Sequence, residues 1–532
     1  MKPLRIAAID LGSNSFHLLV VQARPDGAFV TLTTEREMLR LGDAVGASGR
    51  IPPALADEVV AAVRRLRALA DAHAADEVIA CATSALREAD NGPALVDRIA
   101  DETGVRVRVI SGHDEAELIF SAIQKSVLIE PGPAVGFDLG GGSLEVMVGD
   151  AAESSLLASV KLGVGRLVAE LACDDPLTND DVRRIRRRLE MALGPIVADV
   201  RDLKPQMAIG TSGTILSLAR MIAVRRGETV PRSLNQFRFT RRELEELSSQ
   251  LVALPGAERR RLAGLDEKRV DQAPIGSLVV LGLLDLFDFD SMVTGEWALR
   301  EGIVLDAISR HQVEEWDEDP RGLRRRSVVD LARRCGWNEA HSRHVAALGL
   351  SLFDQLVAAG LLDESDESRE RDRELLEFAA LLHDIGEHVS QSSHHKHAAY
   401  LVEHGGLRGF TPVEVVEIAC IARYHRRSEP KATHLPYAQL DRTSRARVDR
   451  LSAVLRVADG LDRTHLQVVP SVVLDDRGDV VELVVGHGAD VAADCELEVW
   501  GARRKLGPLQ NIIGRPLEVV GPTRDDSEMK QE

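Results

Sequence analysis

Two short stretches of the chain join a carboxylate to a run of small residues in the same order: DLGSNS at 10–15 and DLGGGS at 138–143. Each follows an apolar run and precedes another, so each reads as a hairpin between two strands. Consecutive small residues let a turn approach an anion closely and aim several backbone N–H groups at it. Gly12, Ser13, Asn14 and Ser15, with Gly140, Gly141, Gly142 and Ser143, are therefore candidate phosphate contacts. The Asp before each turn would repel phosphate unless a cation intervened, so Asp10 and Asp138 point to Mg²⁺, held directly or through water. A third run, AIGTSGTILSLAR, sets Gly210, Ser212, Gly213 and Thr214 ahead of a helix. That end suits an anion, although plain Ser or Thr capping explains it equally. One such turn is an ordinary hairpin; the matched pair points to two equivalent hairpins.

Two further features ask for a cause. In VISGHDEAELIF, Ser111 and Asp114 form a capping box, which accounts for Asp114 and leaves Glu115 unexplained. Of the 16 histidines, 11 fall between residues 341 and 465. A single histidine on an apolar helix is ordinary core; this concentration points to a metal site.

At roughly 150 residues per domain, 532 residues suggest three or four domains. Hydrophobic residues at 44% and charged residues at 28% describe a globular chain, and 3% aromatics give little for base stacking. A net charge of −18 repels polyanions, so no specific nucleic acid is expected and an anionic ligand needs a local positive site. Five scattered cysteines without C-x-x-C spacing fit a reducing cytoplasm. No run has the signature of a signal peptide or a transmembrane segment, since Asp10 and Asp285 interrupt the two most apolar ones.

Residues 1 to about 310 alternate β-rich runs with long stretches of helical period, the pattern of an α/β architecture. The charged block 311–327, with Pro320 and Gly322, reads as a linker. Helical spacing dominates 328–468, β-branched runs return as a small β domain over 469–520, and 521–532 is polar enough to be a disordered tail.

The three small-residue loops resemble the phosphate loops of the actin, sugar kinase and Hsp70 superfamily, whose two ribonuclease-H-like lobes close on a phosphorylated ligand. Within it, IDLGSNSFHLLV, FDLGGGSLEV, GTSGT and EWALREGIVLD are similar to the exopolyphosphatase and guanosine pentaphosphate phosphohydrolase (Ppx/GppA) family. The resemblance implies lobes at 1–122 and 123–310 and hydrolysis of terminal phosphoanhydride bonds. The substrate it implies is inorganic polyphosphate, cleaved processively, or alternatively pppGpp. It implies Glu115 as the general base, Arg87 and Arg269 as phosphate contacts, Glu145 beside Asp10 and Asp138 around Mg²⁺, and a homodimer. Each arginine is read equally as surface salt bridging.

The helical domain resembles the HD metal-dependent phosphohydrolases, which implies His344, His383, Asp384 and Asp459 as ligands and His397 and His425 at a second ion. Mn²⁺, Fe²⁺, Zn²⁺ or Mg²⁺ would suit that set. Rival readings are an ATP-dependent kinase of the same fold, a (p)ppGpp-binding sensor, and a nucleotide phosphohydrolase centred on the HD-like domain.

Overall fold

The apolar run ahead of each matched turn forms a strand that is buried along nearly its whole length. In a computed structural model, which describes residues 3–25, 27–227, 231–311, 320–362, 366–486 and 495–521, contacts divide the chain into two units, Met1–Leu323 and Arg324–Glu532.

In the first unit, β1 (Arg5–Leu11) turns antiparallel into β2 (Ser15–Ala23), with Asp10 opposite His17 and Leu11 opposite Phe16. With β3 (Phe29–Met38), β4 (Glu77–Ala82) and β5 (Val107–Val109) they form a sheet of order β3-β2-β1-β4-β5. A second sheet repeats the plan. There β6 (Ala134–Leu139) turns into β7 (Leu144–Gly149), with Asp138 opposite Glu145. Adding β8 (Ser154–Val160), β9 (Met207–Thr211), β10 (Arg238–Thr240) and β11 (Ser291–Thr294) gives the order β10-β11-β9-β6-β7-β8. In each sheet a three-strand antiparallel meander adjoins parallel strands, β1 beside β4 and β6 beside β9, and parallel pairing requires the long helical crossovers seen in sequence. The unit is thus α/β, two lobes of like topology.

The expected lobe boundary at 122/123 needs one correction. The last helix of the unit, Leu299–His311, packs on β1 and on the helix Gly112–Gln124, and its Ile303 and Val304 share a core with Ile6, Ala8 and Ile119. A Cβ on Gly302 would stand 2.1 Å from the Leu118 carbonyl, so the two helices cross where only glycine fits.

The second unit carries helices Glu339–Ala358, Asp366–Leu382, His394–His404, Pro412–Arg423 and Arg442–Gly460. They share one core with a three-stranded sheet, β12 (Val472–Asp476), β13 (Val481–Val485) and β14 (Leu517–Val520), and with helices Glu496–Arg503 and Gly507–Ile513. An all-helical domain ending at 468 and a β domain beginning at 469 are therefore not separate bodies. A small sheet is stabilised by laying an apolar face on helices; Val472, Leu483 and Val519 belong to the same core as Leu352 and Val454. Of the expected linker, 312–319 lies outside the described residues and Pro320–Arg334 is a helix. The expected tail lies outside them from 522 onward.

Candidate active site

Both matched turns and the third loop line one cleft of about 260 Å³ in the first unit. Among the expected residues it takes in Asp10, Gly12, Ser13, Asn14, Ser15, Glu115, Asp138, Gly140, Gly141, Gly142, Ser143, Glu145, Ser212, Gly213, Thr214 and Arg269. The two hairpins nearly touch. A Cβ on Gly141 would stand 3.0 Å from Asn14 Cβ, and one on Gly142 would stand 2.6 Å from both Ser13 Oγ and Ser84 Oγ. Glycine is therefore required here because the loops close on each other as well as on an anion.

The short helix Ser84–Glu88 ties the hairpins together. Ser13 Oγ accepts a hydrogen bond from the Ala85 N–H at 3.1 Å. Arg166 donates from Nε to the Gly142 carbonyl at 2.9 Å and from Nη2 to both carboxylate oxygens of Glu88 at 2.9 Å. Ser84 Oγ donates to the same carboxylate at 2.7 Å.

Four carboxylates face one another at the floor, Glu115, Asp138 and Glu145 buried and Asp10 half-buried. Asp10 Oδ1 is buried with no hydrogen-bond partner, and burial, reinforced by Glu115 nearby, pushes the Asp10 pKa to about 8. Burial lifts Asp138 to about 6 against the opposing hydrogen bond from Thr211 Oγ1 to Oδ2, 2.5 Å. Burial and the neighbouring Glu115 and Asp138 raise Glu145 well above its ordinary value, although Ser159 Oγ donates to it at 2.8 Å. Glu115 is 6% exposed; burial raises its pKa to about 7 and the Arg87 guanidinium works the other way. Acid groups packed this closely demand protons or a divalent cation. The orphaned oxygen of Asp10, with Asp138 and Glu145 beside it, makes a donor set that suits a hard ion.

The opposite rim is cationic. His17 holds the position on β2 that Glu145 holds on β7, so the repeat places an imidazole where its twin has a carboxylate. Arg300 Nη1 reaches His17 Nδ1 at 3.4 Å, and a guanidinium can only donate. Nδ1 is therefore the acceptor and Nε2–H points to Ser15 Oγ, 2.8 Å away. Burial, then Arg300, Arg36 and Arg269, depress the His17 pKa to about 3, which keeps the ring neutral. Arg269 Nη1 donates to Thr214 Oγ1 at 3.2 Å, and its guanidinium fills the space where a side chain on Gly213 would sit. Ser212 begins the helix Ser212–Arg225 at φ +87°, a strained position for a residue with a side chain.

Two expected phosphate contacts stand outside the residues that line the cleft. Arg87 does not line the cleft; its Nη1 donates to the Ile110 carbonyl at 2.7 Å and to Glu115 Oε2 at 3.1 Å, so it holds the glutamate. Gly210 lies in β9, and a Cβ there would strike Met292 Sδ at 2.5 Å. Sequence alone does not single out His17, Arg36, Arg300, Glu88 and Arg166. His17 lies in IDLGSNSFHLLV and Arg300 in EWALREGIVLD, but only spatial pairing gives them meaning.

The second unit holds a separate cluster. It brings together His383, Asp384, Asp459 and His425, four of the residues named from sequence. His344 and His397 do not join them; His341 and His394, each one helical turn earlier, take those places. His341 Nε2 lies 3.3 Å from His383 Nε2 and 3.6 Å from Asp384 Oδ2, and His394 Nε2 lies 3.4 Å from His425 Nε2 and 3.1 Å from Asp384 Oδ1. His465 stacks on His341 at 3.7 Å.

A two-lobed α/β body with glycine-rich hairpins around buried carboxylates defines a phosphate-handling protein of the actin-like class. Residues 20–311 match the Ppx/GppA phosphatase family and residues 323–500 match Ppx/GppA phosphatase, domain III, so the chain belongs to that family. Exopolyphosphatase 1 of Mycobacterium leprae is 33% identical over 303 residues, 57% of this chain and 89% of that protein. A guanosine-5′-triphosphate,3′-diphosphate pyrophosphatase of Aeromonas hydrophila is 27% identical over 484 residues, 91% of this chain and 92% of its own. The crystal structure of an exopolyphosphatase from Cytophaga hutchinsonii aligns with a TM-score of 0.55 at 31% identity, covering 57% of this chain and 98% of that one.

Proposed function

We propose that the first unit hydrolyses terminal phosphoanhydride bonds, releasing orthophosphate from inorganic polyphosphate. The observation that carries this reading is Glu115, a buried carboxylate raised to about 7 at the floor of a phosphate cradle and fixed by Arg87. A base poised near neutrality suits proton removal from water. Glu115 takes a proton from the water that attacks the terminal phosphorus, and the shortened chain leaves through the bridging oxygen. Backbone N–H groups of Gly12–Ser15 and Gly140–Ser143 and the guanidinium of Arg269 meet the charge of the phosphoryl oxygens. The cationic rim of Arg36, Arg269 and Arg300 receives the remainder of the polyanion. Asp10, Asp138 and Glu145 would hold Mg²⁺, which supplies charge neutralisation and Lewis acidity when bound.

A second substrate, pppGpp, is favoured by one finding: the Aeromonas hydrophila relative matches across both units and carries the pentaphosphate name. The two substrates present the same anhydride to the cleft. Orthophosphate release from long-chain polyphosphate, pppGpp and ATP, measured with Mg²⁺ for the wild type and Glu115→Gln, decides between them. Release from polyphosphate well above that from pppGpp, and its loss in Glu115→Gln, is expected; transfer to a nucleotide acceptor without free orthophosphate would point to a kinase.

A further inference from the structure

We infer that His17 is a positioning residue, which turns the hydroxyl proton of Ser15 toward a phosphoryl oxygen of the bound substrate. This deepens the hydrolytic reading of the cleft and rests on it. The two hairpins, compared position by position, carry it. His17 stands opposite Asp10 as Glu145 stands opposite Asp138, and a serine lies two residues earlier in each hairpin, Ser15 and Ser143. Residues two apart on a strand share a face, so each serine meets the side chain that follows it.

The two serines meet opposite partners. Ser143 hydrogen-bonds Glu145, and an ionised carboxylate only accepts, so this hydroxyl gives its proton away inside the protein. Ser15 meets a ring whose direction is set from its far side. Arg300 Nε donates to Glu301 Oε1 at 3.1 Å, and Glu301 Oε2 accepts the Ala298 N–H at 3.0 Å, which holds the guanidinium at the start of the helix Leu299–His311. Arg300 Nη1, 3.4 Å from His17 Nδ1, leaves that nitrogen only the part of acceptor. The ring proton is then on Nε2, and Ser15 Oγ accepts it at 2.8 Å.

A hydroxyl has one proton to give and two lone pairs to offer. In Ser15 one lone pair is taken by the ring, and among the described residues Oγ has no second partner, so its proton is left for a ligand in the cleft that Ser15 lines. A carboxylate at position 17 would take that proton, as Glu145 does in the twin, and would add negative charge where phosphate must approach. The exchange of carboxylate for imidazole therefore divides the work of the repeat: one serine supports an acid, and the other donates to an anion.

Orthophosphate release from polyphosphate with Mg²⁺, measured through a double-mutant cycle with circular dichroism to confirm folding, tests the assignment. Ser15→Ala should lower kcat/KM about ten- to a hundredfold, the scale of one hydrogen bond to a charged oxygen, and His17→Leu about fivefold, the scale of a neutral one. Adding His17→Leu to Ser15→Ala should cost nothing further, because the ring acts only through the hydroxyl. His17→Gln, whose carboxamide can both donate to Ser15 and accept from Arg300, should restore activity. In ¹⁵N spectra of the histidine-labelled full-length chain, the signal that disappears in His17→Gln should be that of a neutral ring with its proton on Nε2. Additive losses in the double variant, full activity in folded His17→Leu, or a ring proton on Nδ1 would overturn the assignment. Tripolyphosphate binding in a Glu115→Gln background reads the contact without turnover. Weakening by Ser15→Ala and by His17→Leu is expected there, and unchanged affinity in both would overturn the contact; weakening in a chain whose wild type releases no orthophosphate would refute the hydrolytic reading alone.

Discussion

At the residue scale, two environments set apart carboxylates that look alike in sequence. Asp114 closes a capping box at the surface, where hydrogen bonds from the Ser111 hydroxyl and backbone hold its pKa low; Glu115, the next residue, is buried, and its pKa rises to about 7. Activity should therefore rise with pH through an acid limb near 7, read in kcat/KM, because only the ionised carboxylate accepts a proton. Arg87 favours the charged form, so Arg87→Gln shifts that limb to higher pH while substrate binding changes little. A loss of binding with an unmoved limb would return Arg87 to the role of phosphate contact that its sequence motif suggested. Glu115→Gln removes the base and lowers kcat by about 10²–10⁴-fold. Glu115 was visible in sequence as a residue that capping did not explain. The histidines were visible as a cluster but misassigned by one turn: His341 and His344 are three apart, as are His394 and His397, and residues at that spacing share a helix face. Packing settles which one turns inward, and His341 is fully buried while His344 is only partly so.

At the element scale, the paired turns were legible because strand, Asp, small residues and strand recur in order. What sequence did not disclose is the brace between them. Ser84–Glu88 is five residues long, and it is meaningful only because Ala85 binds Ser13 while Glu88 grips Arg166, which in turn holds Gly142. Glu88→Gln weakens a charge-assisted contact of about 1.5–3 kcal/mol, so KM should rise roughly tenfold with a smaller change in kcat, tenfold being about 1.4 kcal/mol. Steady-state kinetics separates the two; an unchanged KM would show that the loops hold their places unaided. The β-branched runs near the C-terminus were likewise legible as strands, but their apolar faces reveal nothing of which helices they cover.

At the scale of the whole molecule, the net charge of −18 and the buried acids pull in the same direction. Asp10, Glu115 and Asp138 titrate at about 8, 7 and 6 in the folded chain, against about 4 when unfolded. The folded state then binds more protons than the unfolded state between those values, so stability falls as pH rises from 5 to 8. In chelator-treated protein the melting temperature of the first unit should fall over that range. Mg²⁺ should restore it more at pH 8 than at pH 5, since an ion replaces the lost protons. Scanning fluorimetry of the wild type and Asp138→Asn checks this, and a pH-independent melting temperature would remove the basis for a cation among these acids.

The most direct test of the central claim is hydrolysis of polyphosphate in ¹⁸O-labelled water, with mass analysis of both products. Attack on the terminal phosphorus places one ¹⁸O in each released orthophosphate and none in the shortened chain, with release abolished in Glu115→Gln. Label in the remaining chain, or undiminished release from Glu115→Gln, would contradict the account.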